Sequence, residues 1–290
     1  MPTARSITPA RAAKQVLIDA LEKRWKKYRS ELKRCRAEFS NEAVHDLRIA
    51  ARRMLALLQL VNSISPRPRL QKLSRTFKDQ LDQFDDLRDT QVMLAEISES
   101  MQELPQLQKL QLGLQADENT LLGILRKKIK SVDLSETAHR LRKTRGSIES
   151  ESSSKLPDQI LQTVDDAFLL TRQRLQWIDP AQPATIHRVR LAFKPVRYMI
   201  EIIHPLLENF PAENLERMNT HQSLMGEIQD IEVIMQTLAD SSPPASFDPG
   251  PVRRYYEHHL AEAISAYVKS MHLIDQFWRP APEQPFPWEK

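Results

Sequence analysis

Two short stretches of this chain put histidine and arginine where they could grip an anion. His45, Arg48 and Arg52 step by three and four residues, and His187, Arg190 and Lys194 repeat the step. Side chains so spaced share one helix face. Arg53 stands at the margin of the first row, and Arg197 and Tyr198 carry the second one turn further. Arginine's planar fork donates two hydrogen bonds to two oxygens of a phosphate. Histidine adds a neutral donor, or a full charge once a polyanion has raised its pKa. An ordinary solvated face mixes acids among such bases, whereas Arg48 and Arg52 have none at helical spacing and repel each other. Either row alone could serve as an ion-pair face between bundles. Two related rows lining one groove suit a linear phosphate polymer better, since cations on a helix recur at about 5–6 Å and phosphates every few ångström.

Neighbouring residues fit the same chemistry. Arg75 and Lys78 lie one turn apart on a helix read as continuous from Leu70 to Met93, and are expected to complete the groove wall. Asp82, Asp85, Asp86 and Asp89 recur at helical spacing, but lack the glycine turn and alternating ligands of a calcium loop. They are expected to pair with arginines. His139, His204, His221, His258, His259 and His272 form no zinc pattern, so neither metal nor cofactor is expected. A metal-dependent phosphohydrolase would have only Asp85 and Asp89 to work with. A nucleic-acid binder would leave the same cationic footprint, yet aromatics are 6% of the chain and sit mostly at core positions, so stacking platforms are scarce.

The elements that must position these groups are helices. Apolar residues recur at three and four in Val16, Leu17, Ala20 and Leu21, in Leu73, Phe77, Leu81 and Phe84, and in Val164, Phe168 and Leu175. Leu47, Ala50, Ala51, Met54, Leu57, Leu58 and Val61 form the inner stripe behind the first row. Val189, Ala192, Val196, Ile200 and Ile203 form it behind the second. Turn formers and prolines place breaks at 62–68, 103–105, 131–135, 179–183, 204–211 and 240–251, and the polar stretch 149–154 reads as a linker. About eight helices follow, four on each side. The expected fold is all-α, with a four-helix bundle in residues 1–150 and another in 151–290 that ends in a proline-rich tail or strap.

An internal repeat supports the pairing of the halves. Val44 to Arg53 is echoed by Ile186 to Pro195, and Leu87 to Val92 by Ile228 to Val233. His45 to His187 is a step of 142 residues and Asp89 to Asp230 one of 141, as duplication of a four-helix unit requires. Five glycines leave little from which to build a nucleotide-binding loop, and the lone Cys35 allows no intrachain disulfide. Net charge is only +4, yet residues 1–60 hold 14 Lys or Arg against six Asp or Glu. Residues 121–150 hold eight against three. Such clustering calls for an anionic partner. No apolar leader or span is read, so the expected place is the cytoplasm, with no membrane partner.

The stretch from Val44 to Arg53 resembles the signature of the CHAD family, named for its histidines in an α-helical setting. Lys78 to Val92 resembles the family's next motif. Ile186 to Arg190, with Lys194 and Arg197 to Glu201, resembles its second-half helix, and Gly226 with Asp230 its closing motif. The resemblance implies two four-helix bundles related by a pseudo-two-fold axis around a basic groove that binds inorganic polyphosphate without catalysis, at polyphosphate granules. It carries over His45, Arg48, Arg52, Arg53 and Lys78 from the first half, and His187, Arg190, Lys194 and Arg197 from the second. Leu55, Asn219 and Thr220 stand where the family often has bases. Pro195, inside the second row, is expected to kink the helix or to cost it a backbone bond.

Overall fold

The computed structural model describes residues 10–151, 154–240 and 249–289. They form ten α-helices and four short 3-10 turns, with no β-strand. The helices are α1 (Ala10–Glu38), α2 (Asn41–Ile64), α3 (Pro68–Asp82), α4 (Asp85–Ser100), α5 (Gln108–Ser131), α6 (Ser135–Glu149), α7 (Leu156–Leu175), α8 (Pro183–Ile203), α9 (Glu213–Asp240) and α10 (Pro249–Ser270). The fold is all-α, and the expected breaks at 62–68, 103–105, 131–135, 179–183 and 204–211 each span a junction between helices. Residues 241–248 of the break at 240–251 and 152–153 of the 149–154 linker lie outside the described residues.

Two further breaks correct the expected four helices before the linker. Cys35 accepts from the Phe39 amide as α1 ends, and Phe39 turns the chain at a φ of 45°. Ser40 then caps α2, its hydroxyl accepting from the Ala43 amide at 3.2 Å. The segment read as one helix from Leu70 to Met93 is interrupted at Gln83 and Phe84. No proline or glycine marks that point. The Phe84 ring is fully buried there, and its carbonyl accepts from the Arg88 amide to start α4. Burial of one aromatic at the cost of a helical turn depends on what lies opposite it in space, and local periodicity does not report that.

The two inner stripes are where the periodicity puts them. Leu47, Ala50, Ala51, Met54, Leu57, Leu58 and Val61 are buried, as are Val189, Val196, Ile200 and Ile203, with Ala192 half-buried. α2 packs on α1 and α3, and α8 on α7 and α9. The apolar interior continues across the linker, because α2 also packs on α7 and α8, α1 on both of these, and α4 on α9. Pro195 sits inside α8 without ending it. Its missing N–H leaves the carbonyl one turn earlier without that partner.

The carboxy-terminal segment is a strap. The Trp278 indole is fully buried and donates to Asp165 of α7 at 2.8 Å. Arg279 forks onto the same carboxylate at 2.9 and 2.6 Å and lies 5.0 Å from the Phe286 ring centroid. Phe286 and Trp288 stack with centroids 4.7 Å apart. Replacing Asp165 with alanine strands a largely buried guanidinium and an indole N–H, so a loss of about 3 kcal/mol is expected. Urea unfolding should show it as a lower midpoint, together with a red shift of tryptophan emission as the strap lifts. An unchanged midpoint would mean that the strap adds nothing to stability.

Candidate anion-binding site

The packing of α2 on α8 brings one edge of each row together. α2 supplies Arg48 and Arg52, and α8 supplies His187, Arg190, Lys194, Arg197 and Tyr198. Arg88 of α4 and Asp230 of α9 close the cluster. Arg52 from the first half acts electrostatically on both Arg190 and Lys194 from the second, so cations of the two halves lie within electrostatic range of one another.

Arg48 is not on an outer face as read from the helical projection; it is 7% exposed. Its Nη2 lies 3.6 Å from Asp85, while its Nε is buried without a partner. Burial, then Arg52 and Arg88, pulls its pKa down to about 10, which leaves it charged at neutral pH. Arg88 donates to Asp89 at 2.8 Å and to Asp230 at 3.1 Å, tying α4 to α9. Burial works against the charge of Arg88, but the two carboxylates outweigh it and the pKa is raised.

On α8 the cations are less well compensated. Arg190 lies over Gly226 of α9, so close that a Cβ there would stand 3.7 Å from its Nε. That Nε is buried without a partner, and burial followed by Arg88 lowers the Arg190 pKa against the pull of Asp230. Lys194 has no ion-pair partner among the described residues, and burial, then Arg52, Arg190, Arg88 and Arg197, brings its amine down to about 7. His187 follows the same logic: its Nδ1 is buried and unpartnered, and burial, Arg190 and Lys194 lower its pKa. Arg197 donates to Gln222 at 3.0 Å and lies 4.3 Å from the centroid of the Tyr198 ring, which is buried instead of facing outward.

The remaining sequence candidates are exposed or already paired. Arg53 is 3.3 Å from Glu201, a carboxylate shared with Arg24 of α1 at 3.6 Å, so an acid does face the margin of the first row. His45 is exposed. Arg75 is exposed on α3, and Lys78 is exposed with its amine 2.7 Å from Asp82, whose carboxylate raises its pKa. Lys78 connects to the cluster only through Asp85, the carboxylate it shares electrostatically with Arg48. Three of the four acids are in ion pairs, Asp85 with Arg48 and Asp89 with Arg88 as expected and Asp82 with a lysine, Lys78, instead of an arginine; Asp86 has no ion pair among the described residues.

Sequence reasoning missed Arg88 and Asp230 as parts of the site. The available signal was the second echo, in which Leu87-Arg88-Asp89 is answered by Ile228-Gln229-Asp230: the aspartate recurs while the arginine occurs once. Such an arginine can bridge the two aspartates, and here it does. Taken together, Arg52, Arg190 and Lys194 present donors and charge with no carboxylate in contact among the described residues. An anion placed between them would relieve their repulsion.

The CHAD domain family model matches residues 13–239. Among solved structures, the crystal structure of the CHAD domain from the plant Ricinus communis aligns with a TM-score of 0.61 at 18% identity, over 97% of this chain and 91% of that one. PptA from Streptomyces chartreusis aligns with a TM-score of 0.53 at 17% identity, over 91% of this chain and 100% of that one. No curated protein matches the chain in sequence. These structural likenesses concern the fold, and the family match spans the helices that carry both rows: the chain belongs to the CHAD domain family.

Proposed function

We propose that this chain binds inorganic polyphosphate without catalysis, in the space between α2 and α8, and associates with polyphosphate granules in the cytoplasm. The observation that carries the reading is the meeting of Arg52 with Arg190 and Lys194, cations from two helices with no carboxylate in contact among the described residues. The Nε atoms of Arg48 and Arg190 are buried without a partner, so neither guanidinium is fully satisfied within the protein. Family membership supports the same ligand. No described helix is long and apolar enough to cross a membrane.

Each contacting residue has a distinct part. Arg52 and Arg190 hold phosphates by forked hydrogen bonds, Lys194 adds a charge that the ligand itself restores, and Arg88 holds α4 to α9 behind them. Nucleic acid is the competing ligand. The aromatic carried by the α8 row is Tyr198, which is buried and whose face is taken by Arg197. Base stacking therefore gains little, and long-chain polyphosphate should displace DNA.

Charge reversal at the junction is the direct test. Arg190→Glu is expected to weaken polyphosphate binding roughly 100-fold, since a charge-assisted bond is lost and a repulsion added. Lys78→Gln, at an exposed residue already paired with Asp82, should change it less than about threefold. Filter binding of both variants, with circular dichroism to show retained helix, decides the assignment: equal losses would move the ligand to α3. If four cations are neutralised, affinity should fall about 50-fold between roughly 50 and 200 mM salt, as for single-stranded polyanions. Incubation with polyphosphate and magnesium or manganese should release no orthophosphate.

Binding should also depend on pH. Free Lys194 titrates near 7, and bound phosphates raise that value. Below pH 7 the amine is protonated in both states and adds no slope. Above 7 the complex keeps a proton that the free protein has lost, so affinity falls with rising pH, approaching tenfold per unit up to the bound pKa. Titrations from pH 6 to 9 should show this fall, and Lys194→Arg should flatten it. A flat wild-type profile would take Lys194 out of the binding site.

A further inference from the structure

The turn between α7 and α8 carries a feature the cation cluster does not use. Trp177, just past the end of α7, is 78% exposed, the highest among the large apolar side chains left in solvent. It contacts no other aromatic ring among the described residues, whereas Trp25 stacks on Tyr28 and Trp278 and Trp288 meet edge to face. Packing therefore does not account for an indole at this position. The ring opens on a cleft of about 390 Å³ lined by Arg174, Trp177, Asp179, Gln182, Thr185 and Arg188.

The cleft is stiff. The Asp179 amide donates to the Thr185 hydroxyl at 3.0 Å, and that hydroxyl donates back to the Gln182 carbonyl at 2.7 Å. The Asp179 carboxylate accepts from the Ala181 amide at 2.9 Å and from the Gln182 side-chain amide at 2.8 Å. The only carboxylate lining the cleft is thus occupied by its own turn. Neither Arg174 nor Arg188 has an ion pair or side-chain hydrogen bond among the described residues, although Arg172 nearby is held by Asp275 at 3.0 Å. Arg188 lies two residues from Arg190, about 200° around the helix, so it faces away from the cluster on α2 and α8.

A flat apolar ring beside two uncompensated guanidinium groups, in a pocket of this size, matches a ligand with an aromatic body and a phosphate. We infer that this cleft binds a nucleoside phosphate, its base stacked on Trp177 and its phosphates held by Arg174 and Arg188. Stacking on an exposed indole tolerates any base. The side-chain Oε1 of Gln182, with its amide spent on Asp179, is left as an acceptor for an exocyclic amino group, which favours an amino-bearing base such as adenine over uracil or thymine. A volume near the lower end of the usual ligand range holds one nucleotide and not a strand.

The test uses the full chain and ATP, AMP, adenosine, tripolyphosphate and oligo(dT) as probes, read by tryptophan fluorescence and calorimetry. ATP should quench emission saturably, because Trp278 is enclosed and Trp177 is the exposed indole. Trp177→Leu, a surface change expected to leave helicity and long-chain polyphosphate affinity intact, should weaken ATP at least tenfold. Arg174→Gln and Arg188→Gln should each weaken ATP about tenfold while leaving adenosine unchanged. Equal ATP affinity in wild type and Trp177→Leu overturns the assignment, as does tripolyphosphate binding the cleft as tightly as ATP. Oligo(dT) that binds through Trp177 with affinity rising with length would make the ligand a strand and overturn it too. Loss of polyphosphate binding in the wild type would bear on the α2 and α8 site alone.

Discussion

Burial of the apolar faces of α2 and α8, against α1 and α3 in one case and α7 and α9 in the other, with the two helices also touching each other, is the constraint on which this structure turns. Leu47, Met54, Leu57, Val189, Val196 and Ile200 are all removed from water, and that apolar burial is the dominant favourable term available to a chain of this composition. Each stripe has a cationic row beside it on the same helix. Satisfying the stripes therefore drives the rows together, whatever the charges prefer. The cation cluster is a consequence of the core.

The fold offsets the resulting repulsion selectively. Arg48 receives Asp85, Arg88 receives both Asp89 and Asp230, and Arg53 receives Glu201. These pairs sit around the junction, and they fix α4 to α9 and the margin of α2 to α8. Arg52, Arg190 and Lys194 at its centre are left without one among the described residues. A protein under selection for stability alone would place a carboxylate there. Lowering of the Lys194 and His187 pKa values shows how the cluster tolerates its own charge: burial and neighbouring cations favour the neutral forms.

The other long-range ties keep the scaffold rigid around this junction. Tyr28 of α1 donates to Gln80 of α3 at 2.6 Å, and the Tyr256 hydroxyl of α10 meets Ser100 of α4 at 2.8 Å. The strap locks onto α7 through the single carboxylate of Asp165, which serves Trp278 and Arg279 at once. Both Tyr256–Ser100 and Arg88–Asp230 cross the linker, so the halves are joined by polar contacts as well as by apolar ones.

The sequence by itself determined the helical class, most breaks, both inner stripes and the two rows, because each is a matter of spacing along one helix or of a proline-rich or polar stretch. The resemblance carried by His45, Arg48, Ile186 and His187 pointed to the family that the chain proves to join. Only the tertiary structure decided that Arg48 is buried, that Tyr198 turns inward, that Glu201 faces Arg53, and that Lys78 is held by Asp82. It alone broke the chain at Phe39 and at Phe84. Helical projection gives the direction of a side chain from its own axis but not what stands across from it. Charge compensation, burial and pKa depend on groups more than a hundred residues away, as with Arg88 and Asp230, and distance through the fold cannot be read from distance along the chain.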